Sequence, residues 1–376
     1  MIQGTVIIAG GGTGGHIYPG VAIARAVEKL YPGVKVHFVG ATGGLEEVIV
    51  PREGFPLHVV PVGKLHRSVG LLTQLKTLIK LPLAFFAAWK ILRQVKPIAV
   101  LGVGGFASGP ILFVASLFGY RSLIWEPNAY PGLANRLLAR RVDESLLVFE
   151  EAGKYLHSRH TSMSGLPVRS TMVPVARIFG TPSVPGLKPP LRILVFGGSQ
   201  GARFINTLVS KAIREESGQG SGQGPIWMSG IELVHQTGPA DFAKIREAYA
   251  GAPPTIQVFE YLHDMDQRYA WADLVVCRAG ASTVAEICAC RKAAIFIPLP
   301  TAADDHQRKN AEVLANAGAA LMLLQSELTP ESFGATLRRF RDDRSLIATY
   351  EKNVVKFQYP NAAEKIAERL VAGASI

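Results

Sequence analysis

The 376-residue chain is poor in cysteine, with only Cys277, Cys288 and Cys290. An odd count without framework spacing excludes a disulfide scaffold and points to a reducing compartment. Buried thiols explain the three more simply than a metal site does. Long apolar runs are also missing. Charge-free stretches such as Leu81–Trp89 fall well short of the roughly 20 residues that cross a bilayer. The opening MIQGTVIIAGGG lacks the charged start of an export signal and leads directly into a strand pattern. No RNP-like or helix-turn-helix pattern stands out, so nucleic acid is not an expected partner.

What is present suits large cores. Apolar residues make up 48% of the chain, and the length allows two or three domains. The net charge of +11 is uneven: residues 1–165 hold 17 Lys/Arg against 9 Asp/Glu, and the remainder holds 23 against 20. A basic first half fits an anionic partner, either a membrane surface or a phosphate-bearing substrate.

Short apolar runs alternate with amphipathic stretches. Thr5–Ala9, Val34–Val39, Leu57–Pro61, Ile98–Leu101 and Ser122–Trp125 read as buried strands, with helices over Tyr18–Leu30 and Glu46–Glu53. The alternation predicts a parallel sheet covered on both faces. Prolines 174, 182, 185, 189 and 190 then mark a linker. The pattern restarts with strands at Arg192–Phe196, Glu232–Gln236, Ile256–Phe259, Leu274–Val276 and Ala294–Ile297. The expected fold is α/β: two doubly wound Rossmann-like domains facing across a cleft. The expected division is 1–172, a linker at 173–191, a second domain at 192–356, and a C-terminal helix within 357–376 packing back on the first domain. SGQGSGQG (217–224) reads as a surface loop without chemistry.

Four glycine loops sit at strand ends: 10–15 (GGGTGG), 102–110 (GVGGFASGP), 197–202 (GGSQGA) and 277–283 (CRAGAST). Glycine lets backbone approach a ligand, and a following helix turns N–H groups and its positive end toward an anion. Gly10, Gly12 and Gly15 satisfy the dinucleotide fingerprint G-x-G-x-x-G. That fingerprint wants an acid at the end of the second strand to hold a ribose. VHFVGATGG (36–44) has Gly40 there, and Glu46 falls in the next helix. A nicotinamide cofactor is therefore not expected, although a 2′-phosphate cofactor would relax the test.

GGTGGHIYPGVAIA (11–24), GGFASGP (104–110), SGLPVR (164–169), GGSQGAR (197–203), CRAGASTVAEI (277–287) and HQRKNA (306–311) follow one another in that order. Together they resemble the MurG family of bacterial N-acetylglucosaminyltransferases, over residues 4 to 370. The resemblance implies the glycosyltransferase B fold. It implies UDP-N-acetylglucosamine as donor and lipid I, undecaprenyl-pyrophosphoryl-muramyl-pentapeptide, as acceptor. It also implies peripheral placement on the cytoplasmic face of the cell membrane and no cofactor or metal.

By this resemblance Ser199 and Gln200, with the amides of Gly198 and Gly201, hold the donor diphosphate. Glu286 takes the two ribose hydroxyls, as a bidentate acceptor can. The uracil edge meets backbone near Leu262. Ala281, Ser282 and Thr283 open a helix, where the two hydroxyls either cap it or touch sugar or phosphate. His306 and Gln307 contact the N-acetylglucosamine hydroxyls, and Asp304 and Asp305 read as caps of that helix. Arg169 reaches donor phosphate. Asn128 faces donor sugar or acceptor, although Pro127 stands where the family usually has Gln. Leu166 likewise replaces a frequent Asn.

Thr13, Gly14, Gly15 and loop 102–110 are expected to hold the acceptor diphosphate. His16 is the expected base that takes the proton of the attacking hydroxyl, with Glu126 in reserve. A positive helix end favours the neutral imidazole. Phosphate binding by His16 is the open alternative. DMD (264–266) matches the D-x-D of metal-dependent transferases, but its place at a helix entry reads as a cap.

LLTQLKTLIKLPLAFFAAWKILRQVKP (71–97) interleaves Leu75, Ile79, Leu83, Phe85, Phe86 and Trp89 with Lys76, Lys80, Lys90, Arg93 and Lys96. This suits shallow insertion into an anionic leaflet, with a break or kink expected at Pro82. Packing on the chain's own sheet must claim part of it. The expected activity is inverting transfer of N-acetylglucosamine to the 4-hydroxyl of the muramyl sugar, forming lipid II in peptidoglycan synthesis, with closure about the linker excluding water. The rival readings are another UDP-sugar enzyme, such as an epimerase or glycolipid synthase, and a non-catalytic nucleotide-sugar binding module. Retention of His16, Glu286 and Gln307 speaks against the last.

Overall fold

The alternating pattern folds as strand and helix in turn in a computed structural model, which describes residues 2–62, 71–169, 171–172, 189–198, 201–215 and 230–372, with side chains of 71–80 and 214–215 left aside. The linker prolines 174, 182 and 185 and the SGQGSGQG stretch lie outside the described residues, as do Ser199 and Gln200. Two units form: Met1–Val168 with Tyr359–Ile376, and Arg169–Gln358.

The first unit holds strands β1 (Gly4–Gly10), β2 (Val34–Ala41), β3 (Leu57–Val60), β4 (Ala99–Gly104), β5 (Ser122–Glu126), β6 (Glu144–Leu147) and β7 (His160–Met163). Between them run α1 (Gly14–Leu30), α2 (Glu46–Arg52), α3 (Leu71–Val95), α4 (Ser108–Leu117) and α5 (Leu133–Leu138). The strand order is β3-β2-β1-β4-β5-β6-β7, with every pairing parallel. Val6, Ile7, Ile8 and Ala9 are all fully buried. A strand covered on both faces reads as a continuous apolar run, which is why β1 was legible.

β6 (ESLL) and β7 (HTSM) were not legible, because their polar residues break that pattern. Glu144 is buried in the sheet and is satisfied there by the Ser162 hydroxyl (2.6 Å) and Arg369 (3.1 Å). The expected break at Pro82 does not occur; α3 continues through it as one helix, with Pro82 exposed.

The second unit holds β8 (Leu191–Phe196), β9 (Ile231–Gln236), β10 (Ile256–Phe259), β11 (Leu274–Cys277), β12 (Ala293–Phe296) and β13 (Leu321–Met322). Its helices are α6 (Arg203–Glu215), α7 (Phe242–Ala248), α8 (Met265–Trp271), α9 (Ala281–Ala289), α10 (His306–Asn316), α11 (Pro330–Asp342) and α12 (Ser345–Val354). The order β10-β9-β8-β11-β12-β13 repeats the first six strands of the other sheet, again all parallel. The chain then returns to the first unit as α13 (Ala362–Ala372), which packs on α1, burying Ile366, Leu370 and Val371.

A buried polar network fastens the start of α6. His235 Nε2 bonds Asn206 Oδ1 (3.1 Å) and Nδ1 bonds the Tyr249 hydroxyl (2.8 Å). The Asn206 amide donates to Thr237 O and to Asp241 Oδ2, each at 2.9 Å. Because that amide oxygen only accepts, the neutral ring carries its proton on Nε2 and accepts from the tyrosine at Nδ1.

Burial pulls the His235 pKa down to about 3 from 6.5. Below pH 6.5 the unfolded chain therefore binds a proton that the folded chain refuses. Stability from this residue is complete above about pH 6.5 and is lost as pH falls toward 3. We expect the unfolding free energy of the wild type to fall with acid more steeply than that of His235→Gln. The difference in slope should approach about 1.4 kcal/mol per pH unit, read by urea titration between pH 7 and 4.

Candidate active site

An open parallel sheet leaves a crevice where its strand order turns, because the loops at the carboxyl ends of those two strands run to opposite faces. The turning pair is β1/β4 in the first unit and β8/β11 in the second. The four glycine loops are the loops at the carboxyl ends of these four strands.

In the first unit the two loops touch, backbone to backbone. Gly11 N–H donates to Gly104 O at 3.2 Å. A Cβ on Gly10 would stand 2.5 Å from that same oxygen, and one on Gly105 would collide with Gly11 O. Thr13 precedes α1, Gly14 and Gly15 open it, and His16 is its third residue. The half-buried imidazole lies against Gly104, where a Cβ would stand 2.7 Å from Nδ1 and Cε1. His16 therefore belongs to both loops at once.

The acid that the dinucleotide fingerprint wants is here, but displaced and turned inward. Glu46, the first residue of α2, is 1% exposed. Its Oε2 accepts Gly12 N–H and its Oε1 accepts Ala41 N–H, both at 2.8 Å. A Cβ on Gly11, Gly40 or Gly44 would collide with the carboxylate. One side chain thus keeps three positions free of a Cβ. The Gly12 amide is engaged by Glu46, so anion binding falls to the start of α1.

Glu126, the reserve base, is corrected. It is 1% exposed. Its oxygens accept Asn128 N–H (3.0 Å), the Asn128 amide (3.3 Å), Gly132 N–H (3.0 Å) and the Asn135 amide (2.9 Å). Burial raises its pKa against these bonds. It shapes the turn from 126 to 135 rather than facing a substrate, and it also engages the Asn128 side chain.

In the second unit, Gly201 (φ +76°) donates its N–H to Gly198 O (3.0 Å). The Gly201 amide therefore closes the turn and does not point at a phosphate, which corrects that expectation. Gln236 links this turn to a second segment: its amide donates to Gly198 O (3.1 Å) and its oxygen accepts Leu262 N–H (2.9 Å). The Leu262 carbonyl is then the backbone group left for a base edge.

Ala281, Ser282 and Thr283 are the first three residues of α9. Gly280 holds the cap position, so the capping reading of Ser282 and Thr283 falls, and both side chains are half-exposed. Glu286 lies one turn further on. Its Oε2 accepts the Tyr269 hydroxyl (3.0 Å), and Arg169 Nη2 stands 3.8 Å from Oε1. Burial raises the Glu286 pKa, while the tyrosine bond and Arg169 oppose the rise.

Arg278, nearly buried, donates to Ile297 O (2.9 Å), Pro298 O (3.0 Å) and Gln325 Oε1 (3.1 Å). It thereby fixes the loop before α10. In that loop Asp304 (φ +51°) and Asp305 (φ +55°) are both left-handed, an uncommon conformation for non-glycine residues that clusters at functional loops. Neither caps through its side chain. His306 Nδ1 donates to Ala303 O (2.7 Å). Gln307 Oε1 accepts Leu299 N–H (3.0 Å), which leaves its amide nitrogen to donate outward. In DMD, Asp264 sits at the cap of α8 and pairs with Arg268 (2.9 Å).

Glu46, Gln236, Arg278 and Tyr269 are site-shaping residues that the sequence reading missed. Each acts on backbone or on a carboxylate far away in the chain, and only the spare glycines around Glu46 left a trace. Replacing Glu46 by Ala orphans two backbone N–H groups. We expect a loss of about 2–6 kcal/mol from the first unit, at about 1–3 kcal/mol per orphaned group. Glu46→Gln, which still accepts, should lose less; urea unfolding of the two variants measures both.

Comparison with known proteins agrees with this geometry. Residues 6–146 match the glycosyltransferase family 28 N-terminal domain, and residues 192–369 match the family 28 C-terminal domain. The Bdellovibrio bacteriovorus protein named UDP-N-acetylglucosamine–N-acetylmuramyl-(pentapeptide) pyrophosphoryl-undecaprenol N-acetylglucosamine transferase is 44% identical over 98% of this chain and 99% of its own. The Myxococcus xanthus protein of the same name is 41% identical over 96% and 91%. The crystal structure of Acinetobacter baumannii MurG superposes with a TM-score of 0.79 at 28% identity, covering 98% of this chain and 99% of that one. A putative UDP-N-acetylglucosamine 2-epimerase from Listeria monocytogenes matches at a TM-score of 0.63 and 13% identity, over 97% and 95%, and shares the fold alone. With two Rossmann-like parallel sheets, as in the glycosyltransferase B fold, and both domain families matched in order, the chain belongs to glycosyltransferase family 28.

Proposed function

We propose that the chain transfers N-acetylglucosamine from UDP-N-acetylglucosamine to the 4-hydroxyl of the muramyl sugar of lipid I, with inversion, forming lipid II. The observation that carries this is full-length identity of 41–44% to transferases of that name, in a chain whose glycine loops occupy both sheet switch points.

The second unit takes the donor. Glu286 accepts from the ribose hydroxyls, the Leu262 carbonyl meets the uracil edge, and the start of α6 with Ser199 and Gln200 faces the diphosphate. Arg169 moves from Glu286 to the departing phosphate. Ser282 and Thr283, freed of a capping role, and Gln307, through its amide nitrogen, meet sugar or phosphate hydrogen-bonding groups; His306 lies beside them. The first unit takes the acceptor diphosphate at Thr13, Gly14, Gly15 and the start of α4. Inversion needs a base on the attacking hydroxyl, opposite the leaving UDP. His16 takes that role in this reading, which its ring supports by lying against Gly104, where the two loops touch.

The membrane is met by α3 and the end of α4. Leu83 and Phe86 are 61% and 63% exposed, and Leu117 and Phe118 at the end of α4 are exposed as well. Trp89 stacks near Phe86 (5.6 Å) with the Arg93 guanidinium over its ring (5.5 Å). Phe85 is corrected: it is partly buried and packs against Phe113 (5.1 Å) at the edge of the unit's core, where Trp89 is partly buried too. The side chains of Leu75 and Ile79 lie outside the described residues. No described helix is long and apolar enough to cross a membrane. Peripheral binding at the cytoplasmic face, where lipid I presents its sugar, fits exposed Leu83 and Phe86 beside a half-buried Trp89 with basic neighbours. No role for nucleic acid enters this reading.

Two experiments test the proposal. Labelled UDP-N-acetylglucosamine with a lipid I analogue should give the disaccharide lipid, and no epimerised sugar nucleotide. In the same assay His16→Ala should lower kcat about 10²- to 10⁴-fold with donor KM little changed. A raised acceptor KM with kcat retained would make His16 a phosphate ligand instead. Phe86→Asp with Trp89→Asp should release the protein from anionic vesicles in a flotation assay while transfer to a soluble acceptor continues; retained flotation would remove the membrane reading.

A further inference from the structure

Tyr269 reaches Glu286 from the buried side of the donor residues. It sits in α8 and is fully buried. Its ring meets Phe196 edge-on, with centroids 6.1 Å apart and planes at 86°. Phe196 ends β8, directly before Gly197 and the phosphate turn. The Tyr269 hydroxyl donates to Glu286 Oε2 at 3.0 Å. The two oxygens of Glu286 are thus treated differently. Oε2 is held from inside by a rigid aromatic donor, and Oε1 faces Arg169, whose side chain is 58% exposed.

A carboxylate on a helix has two side-chain torsions beyond its first and would otherwise sample several poses. A hydrogen bond from a buried ring selects one, and a charge-assisted bond of this kind is among the stronger ones. The ring packing relates that pose to the end of the strand that sets the diphosphate position.

We infer that Tyr269 is a positioning residue for the sugar nucleotide: its hydroxyl fixes the Glu286 carboxylate for the ribose, and its ring is braced against Phe196 at the end of β8. The inference rests on the reading of Glu286 as the ribose ligand. The groups around the carboxylate are Tyr269, Arg169, Cys277 and Cys290. Burial keeps the tyrosine and both thiols protonated at working pH, since it raises the pKa of each. Over the acid range the titrating group of the four and the carboxylate is therefore Glu286 itself. The tyrosine bond favours its charged form, so loss of the hydroxyl shifts protonation of Glu286 to higher pH.

The test is Tyr269→Phe in the full chain, which keeps the ring and removes only the hydroxyl. UDP is titrated calorimetrically from pH 5 to 8, and transfer kinetics are taken beside it. UDP affinity should fall about fivefold at pH 7.5, as loss of one hydrogen bond to a charged group allows. Donor KM should rise in step while kcat changes less than twofold. The pH at which affinity is half lost should move upward, and the thermal midpoint should stay near that of the wild type. In a Glu286→Ala background the same substitution should have no effect on UDP affinity. Unchanged affinity and an unchanged acid limb in Tyr269→Phe, with Glu286→Ala impaired, would overturn the inference while sparing the ribose reading. Wild-type affinity in Glu286→Ala would remove the ribose reading, and the inference with it.

Discussion

At the carboxyl ends of the central strands there is no room for a Cβ, and the rest of the site follows from that. Gly10 stands against Gly104 O, Gly105 against Gly11 O, and Gly104 against the His16 ring. Backbone packed this closely can present N–H groups and a helix end to an anion without a side chain in the way. It also holds the histidine by surface contact rather than by a long flexible stem. Parallel winding repeats the strand order, so the second unit has a glycine loop at the same place in its own sheet.

The acidic residues near the loops are put to different uses by their surroundings. Glu46 and Glu126 are each 1% exposed and accept backbone N–H groups, so they set loop shape. Glu286 keeps part of its surface and accepts one hydroxyl, so it can still receive a ligand. Exposure and the number of bonds already accepted decide between scaffold and site. The residue type alone does not, which explains why Glu126 was misread and Glu46 was set aside.

The basic excess of the first half finds a comparable division on α3. One side of the helix sends Phe85 onto Phe113 and supports the sheet. The other presents Phe86, with Trp89 beside it and the Arg93 cation over that indole. The same helix thus serves the sheet with one side and leaves apolar surface exposed on the other.

The sequence by itself determined the two parallel sheets, most strand positions and the four glycine loops. Buried parallel strands must be apolar throughout, and tight backbone approach must use glycine, so both leave a local mark. It did not disclose β6 and β7, whose polar residues are satisfied by partners such as Arg369, more than 200 residues away from Glu144. Nor did it disclose that Glu46 turns inward, that Gln236 ties Gly198 to Leu262, or that Tyr269 holds Glu286. Those are choices among hydrogen-bond partners distant in the chain. Only the tertiary structure decides them, because it alone sets which donor reaches which acceptor once water has been excluded.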